Sequence, residues 1–417
     1  MSHILDPSLA PAGARKIDWA AAHAPVMRRM RERMIADSSV RGRRIGVVLA
    51  LEPKTAFLAQ TLADAGAEVS LACNASMTTD DVAAALATRG VEVFARSDAT
   101  PDEERNAYGE VLARRPEIII DDMAELIRMA HTTHATALDQ LTGATEETTS
   151  GVVALRAMAA DGALRIPCIA ANDARCKQLF DNRYGSGQSV MAALMDTTNL
   201  LIAGTVVLVV GYGWVGHGLA RVARGLGARV VVAEIDPVAA LEAHHDGHDV
   251  APVAEACTVA NWVITATGCR GALGLAAIER CRDGTILANA GGPADEIDVD
   301  GLRRRATQER EVRRHVVEFG LDDGRSVFLV GDGRCVNLSA GEGHPIEIMD
   351  LTFAVQGFSA RHLALHAHEM TPGLHQLPGD IDDDIAREKL ADLGLGIDTL
   401  TPAQHTFLAD WQDASSV

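Results

Sequence analysis

The sequence predicts an α/β fold made of two doubly wound parallel sheets in succession, followed by a C-terminal helical tail. Three observations predict it. Short apolar strands alternate with helical segments through the first half of the 417 residues, the alternation restarts at Leu201, and the chain turns polar and helical from Thr371 onward.

The first sheet opens with "RRIGVVLAL", an apolar run short enough for a buried strand, followed by "PKTAFLAQTLADAGA", a helix that ends at glycine. "EVSLACN", "VEVFA" and "PEIIIDD" continue the alternation. The last of these ends in Asp121 and Asp122. Ligands of doubly wound sheets bind beyond the carboxyl ends of the strands, so both aspartates are site candidates, with helix capping as the alternative for Asp121. The second unit, "LIAGTVVLVVGYGWVGHGLARVARGLGARVVVAEIDP", runs strand, glycine turn, helix, strand, acid. Gly211, Gly213 and Gly216 form G-x-G-x-x-G, and Glu234 closes the second strand where an acid meets a ribose hydroxyl. The pattern predicts a dinucleotide-binding Rossmann unit that takes NAD, because a carboxylate there repels a 2′-phosphate. "NWVITATG" and "GTILANAGG" both end in small residues, as strands beneath a cofactor should.

A net charge of −19, spread without an acidic block, argues against nucleic acid and anionic membranes as partners. No apolar run reaches the roughly 18 residues of a spanning helix, and the N-terminus lacks a signal-peptide pattern. The seven cysteines form no C-x-x-C pair, which suits a reducing, cytoplasmic setting. The histidines of "HTTH" and "HHDGH" lack carboxylate or thiolate company at ligand spacing, so no metal site is expected.

"CKQLFDNRYGSGQS" places Lys177 four residues before Asp181 and Asn182, just upstream of the glycine motif. Such a lysine either forms a Schiff base or helps take the proton of an alcohol being oxidised. A lysine beside a cationic nicotinamide ring is expected to have a lowered pKa, which suits the second role.

Several motifs, "TEETTSG" (145–151), "NDARCKQLFDNRYG" (172–185), "GYGWVGHG" (211–218), "EIDPVAAL", "TATGC", "VNL" and "GHP", together resemble the S-adenosylhomocysteine hydrolase family over Arg41 to Leu408. The resemblance implies that NAD transiently oxidises the 3′-hydroxyl of a nucleoside; a base then removes the acidified ring proton, the thiol leaves, water adds and the alcohol is restored. It implies that Lys177 is the proton acceptor or its relay, that Asp181 binds the ribose hydroxyls, and that Asn182 orients Lys177 or the nicotinamide. Asp122 and Glu147 correspond to acids of the nucleoside pocket, and His344 to a histidine near the purine. Thr148, Thr267 and Asn337 fall at cofactor-contacting positions. For Glu147 a capping-box role is the alternative, and for His344 a turn histidine satisfied by backbone.

Departures from the family pattern cluster in that pocket. Ala50 and Gly292 stand where the family has histidines, Glu52 replaces a threonine, Lys54 a glutamate that reads adenine, Leu179 a lysine and Ser186 a cysteine. "LADWQDASSV" replaces the family's subunit-reaching tail. Glu52 and Lys54 are expected to bind substrate and to favour a differently charged one. The expected organisation is a substrate domain, 1–185 completed by 345–370, clasping an NAD domain, 186–344, with 371–417 as a tail packed on the surface or on another subunit. A homo-oligomer, dimer or tetramer, is expected.

These readings converge on an enzyme that oxidises a secondary hydroxyl of a nucleoside or sugar-like small molecule, eliminates or epimerises, and returns the hydride. The alternatives are plain hydrolysis of S-adenosyl-L-homocysteine to adenosine and homocysteine, and a non-catalytic NAD-binding regulatory paralogue.

Overall fold

The computed structural model of the protein describes residues 2–292 and 295–411. Pro293 and Ala294 of "NAGGPA", and residues 412–417 of the altered ending, lie outside the described residues.

The first sheet contains β1 (Arg44–Val48), β2 (Glu68–Ala72), β3 (Glu92–Phe94), β4 (Ile118–Asp121), β5 (Gly143–Glu146) and β6 (Pro167–Ile169). The second contains β7 (Val206–Val210), β8 (Arg229–Ala233), β9 (Asp249–Val250), β10 (Trp262–Thr265), β11 (Thr285–Asn289), β12 (Gln308–Arg313), β13 (Val316–Gly320) and β14 (Ser326–Val330). A late strand, β15 (Gly373–His375), returns to the first sheet. The strand orders are β15-β6-β5-β4-β1-β2-β3 and β12-β13-β14-β11-β10-β7-β8-β9.

Strands buried on both faces explain the apolar runs. Along β4, Ile118 and Ile120 enter one core and Ile119 the core behind it. Along β7, Val207 and Val209 face one core while Leu208 and Val210 face another. All pairings in the first sheet are parallel. The second sheet adds an antiparallel edge that strand–helix alternation did not predict, β12 on β13 and β13 on β14.

The segment expected as a tail begins as structure. β15 pairs with β6 and becomes the edge of the first sheet. Helix Gly379–Asp392 then packs back: Arg29 Nε and Arg33 Nη2 donate to Glu388 at 3.3 and 2.7 Å, and Lys389 Nζ donates to Asp350 at 2.9 Å. Beyond it Leu393, Leu395, Ile397, Phe407, Leu408 and Trp411 are exposed. Helix Ile346–His366 runs beneath β4 and β5 and carries polar side chains to the site.

Candidate active site

The carboxyl ends of both sheets open on one cavity of about 330 Å³. Ala50, Asp122 and Glu147 line it from the first sheet, Gly213, Thr267, Gly292 and Asn337 from the second. Lys177, Asp181 and Asn182 enter from the helix that joins the two.

Local backbone geometry gathers that trio. The short helix Arg175–Lys177 runs into a π-helix, Gln178–Gly185, a rare form frequently found at functional sites. The wider turn lets Lys177 Nζ donate to both Asp181 Oδ1 at 3.1 Å and Asn182 Oδ1 at 2.6 Å. Glu147 Oε1 lies 3.9 Å from the same ammonium.

Each partner is held in turn. Thr352 Oγ1 donates to Asp181 Oδ2 at 2.9 Å, and His344 Nδ1 lies 3.4 Å from Asp181 Oδ1. Asn182 Nδ2 donates to Asn172 Oδ1 at 3.2 Å, and Gln356 Nε2 donates to Glu147 Oε2 at 2.5 Å. Asn172, Thr352 and Gln356 were missed in the sequence. Thr352 and Gln356 were findable: they are polar residues four apart in "LTFAVQGF", an otherwise apolar run, on one face of a buried helix.

The chain's own groups act on Lys177 in the direction opposite to that expected of a nicotinamide cation. Burial pulls its pKa down, but Asp181, Glu147 and Asp122 outweigh burial and raise it above the ordinary lysine value. The chain itself therefore holds Lys177 as a cation, and a relay fits better than a resting free base. Burial works to raise the Asp181 carboxyl too, yet Lys177 and His344 hold it well below the usual range. Burial pushes Glu147 up to about 8 and Asp122 up to about 6, each opposed by Lys177.

Asp122 and Asp121 divide their labour. Asp121 accepts from Leu126 N and Ile127 N at 3.2 and 2.9 Å, so it caps the following helix. Asp122 borders the cavity, and its buried Oδ1 has no hydrogen-bond partner among the described residues. The next two residues, Met123 and Ala124, take left-handed φ values of 59° and 56°. Glu146, fully buried, accepts their N–H groups at 3.0 and 2.9 Å, which holds this unfavourable turn. Thr148 supplies the N-cap of helix Thr149–Ala160, which leaves Glu147 free for Lys177. His344 is not satisfied by backbone alone: Nε2 lies 3.2 Å from Ser186 Oγ, opposite its contact with Asp181.

Glu52 and Lys54 correct the expected charged rim. Both line the cavity, but they pair with each other at 2.9 Å. Glu52 also caps helix Pro53–Asp64 through Thr55 N and Lys54 N, and Lys54 Nζ donates to the Glu342 and His344 carbonyls at 2.9 Å each. The ammonium's three protons are thereby engaged within the chain. Lys54→Met is expected to destabilise the fold by about 1.5–3 kcal/mol, the scale of buried charged hydrogen bonds, as read by urea denaturation. Ala50 and Gly292 both line the cavity, so no imidazole enters it from either position.

The dinucleotide turn has its expected shape. Gly211 follows β7 at φ 96°, and a Cβ on Gly216 would collide with the Gly211 carbonyl. Gly213 precedes helix Trp214–Gly225, whose free N–H groups suit a pyrophosphate. Glu234 follows β8; its Oε2 accepts from Tyr212 N at 2.6 Å, placing the carboxylate against the glycine turn. Thr267 borders the cavity with its N and Oγ1 donating to Glu296, at 2.9 and 2.8 Å. Asn337 Nδ2 donates to Ser189 Oγ at 3.0 Å. A cradle emptied of Cβ atoms, with a carboxylate at the ribose end, fits NAD. Carboxylates do gather on one histidine, His217, whose Nε2 lies 3.1 Å from Glu242 Oε1 and ties helix Trp214–Gly225 to helix Pro237–His245. Among the described residues no helix is long and apolar enough to cross a membrane.

Residues 182–343 match the family model "S-adenosyl-L-homocysteine hydrolase, NAD binding domain", and residues 2–137 match "S-adenosyl-L-homocysteine hydrolase". The chain is 46% identical over 414 residues to an S-inosyl-L-homocysteine hydrolase of Methanopyrus kandleri, covering 99% of this chain and 98% of the relative. It is 45% identical over 401 residues to an adenosylhomocysteinase of Thermotoga maritima, covering 96% of this chain and 99% of the relative. To an S-inosyl-L-homocysteine hydrolase of Methanocaldococcus jannaschii it is 42% identical over 416 residues, the full length of both. The cofactor is NAD.

Proposed function

Because the chain belongs to the S-adenosyl-L-homocysteine hydrolase family and is an NAD-dependent hydrolase, we propose that it cleaves the thioether of an S-nucleosyl-L-homocysteine by transient oxidation of a ribose hydroxyl. The observation that carries this reading is the buried Lys177–Asp181–Asn182 cluster sharing one cavity with the glycine turn and with Asp122, whose buried Oδ1 has no hydrogen-bond partner among the described residues.

NAD, when bound, supplies a reversible hydride acceptor. The chain's own residues handle protons and position. Asp181, fixed by Thr352 and His344, stays ionised and accepts hydrogen bonds from the substrate's hydroxyls. Lys177 carries the proton of the hydroxyl being oxidised, and can pass one of its own to Glu147, 3.9 Å away, when that carboxyl, with its pKa raised to about 8, is in its ionised form. The resulting ketone acidifies the adjacent ring C–H. Asp122 removes that proton, the C–S bond breaks and the homocysteine thiolate departs with a proton. Water then adds at the vacated carbon and the ketone is reduced again, so the sum is thioether plus water giving nucleoside plus thiol.

As base, Asp122 must be ionised, so kcat/KM is expected to rise with pH through an inflection near pH 6. In Asp122→Asn that limb should vanish, and the rate should fall by about 10²-fold or more. The test of the whole reading is thiol release from S-adenosyl- and S-inosyl-L-homocysteine by the NAD-loaded protein. A second reading, oxidation without elimination or with epimerisation, is favoured by the non-titratable Ala50 and Gly292. It predicts reduced nicotinamide without thiol. The exposed apolar residues from Leu393 to Trp411 support a homo-oligomer, testable by light scattering.

A further inference from the structure

We infer that Asp382, from the C-terminal segment, is a positioning residue for Lys177. The inference rests on the reading of Lys177 as proton carrier.

Helix Arg175–Lys177 is three residues long and its N-cap, Ala174, has no side-chain acceptor. So short a turn does not hold itself, because nucleating a helix costs more than its first hydrogen bond returns. Asp382 supplies what is missing from across the molecule. Its Oδ2 accepts from Arg175 N at 2.8 Å and its Oδ1 from Cys176 N at 3.0 Å, while Cys176 Sγ donates to the Asp382 carbonyl at 3.3 Å. The aspartate is 6% exposed, so these bonds are shielded from water. A carboxylate meeting free helix N–H groups is the favoured polarity.

Asp382 is itself anchored. Its helix, Gly379–Asp392, is tied through Lys389 to Asp350, and Asp350 also accepts from Val26 N and Met27 N at 3.3 and 2.9 Å. Two residues past Asp350, Thr352 holds Asp181. The segment from Arg175 to Asp181 is thus pinned at its start by Asp382 and at its acid by Thr352. Between the pins Lys177 has only its side-chain torsions to bring Nζ to Asp181 and Asn182. A misplacement of about 1 Å at such a group is enough to cost about 10²-fold in rate.

The charged groups facing Lys177 are Asp181 on its own helix, Glu147 beyond β5 and Asp122 beyond β4. Arg175 beside it is engaged by Asp383 at 3.3 Å. Loosening the turn draws Lys177 away from those three acids and leaves burial to act, so its pKa falls.

The experiment compares Asp382→Asn, Lys389→Met and Lys177→Met in the NAD-loaded full chain, measuring thiol release, Tm and pH profiles. Asp382→Asn keeps one acceptor and the side-chain shape. It should lower kcat by about tenfold or more with KM changed less than about twofold, and move the lysine-dependent inflection to lower pH. Lys389→Met removes only the tie between the Asp382 helix and Asp350 and keeps the Asp382 carboxylate on the Arg175 turn; it should lower Tm, and lower kcat and shift the pH profile less than Asp382→Asn does. An unshifted profile in Asp382→Asn, or a kcat loss in Asp382→Asn no larger than in Lys389→Met, would overturn the positioning role while Lys177→Met remained inactive. An active Lys177→Met would remove the reading of Lys177, and this inference with it.

Discussion

Lys177→Met is expected to lower kcat/KM by about 10²–10⁴-fold while NAD stays bound. The Lys177 ammonium donates to both Asp181 and Asn182, and Glu147 and Asp122 face it as well. Methionine keeps much of the length and apolar stem but removes the proton carrier. It also leaves three buried acids without their counter-charge, so some of them take up protons, and their pKa values rise further. The loss should therefore appear in kcat as well as in kcat/KM, and exogenous small amines should restore part of it. Full activity in this variant would show that proton transfer runs through another group.

Gly216→Val should abolish NAD binding without unfolding the second sheet. The glycine packs face to face with the Gly211 carbonyl, and Val209 from β7 lies close behind, so a branched side chain forces the turn and the helix apart. The parent protein is expected to gain about 2.7 kcal/mol of stability at an NAD concentration of about 100 Kd. The variant should gain nothing measurable in the same thermal-shift titration while keeping its far-ultraviolet dichroism. An unchanged NAD response would mean that the cofactor lies elsewhere.

These effects trace back to parts of the chain that were unequally legible. β1, β4 and β7 could be read because each is buried on both faces and so spelled as an unbroken apolar run. "QEREVR", which forms β12, could not: it is an edge strand with every residue exposed, and nothing in its composition separates it from a surface helix or loop. β15 was hidden for a related reason, since three residues pairing on one side leave no periodicity to count.

The site divides in the same way. The glycines, Glu234, Lys177, Asp181 and Asn182 belong to local patterns and were named at once. The charge on Lys177 was not readable, because it depends on Glu147 and Asp122 arriving from separate strands. Glu52 and Lys54 looked like free charges because sequence shows residue types and not partners; their pairing, and the reach of Lys54 to the 342–344 carbonyls, arises only in the fold.

The central claim, that the substrate is oxidised by NAD on the way to hydrolysis, is tested most directly by single-turnover mixing. NAD-loaded protein is mixed with S-inosyl- or S-adenosyl-L-homocysteine, and reduced-nicotinamide absorbance and free thiol are followed together. The account predicts a transient of reduced nicotinamide that rises before thiol appears and decays as product forms, with both signals lost in Lys177→Met. Thiol released at the parent rate by protein stripped of NAD, or with no reduced nicotinamide at any time, would contradict it.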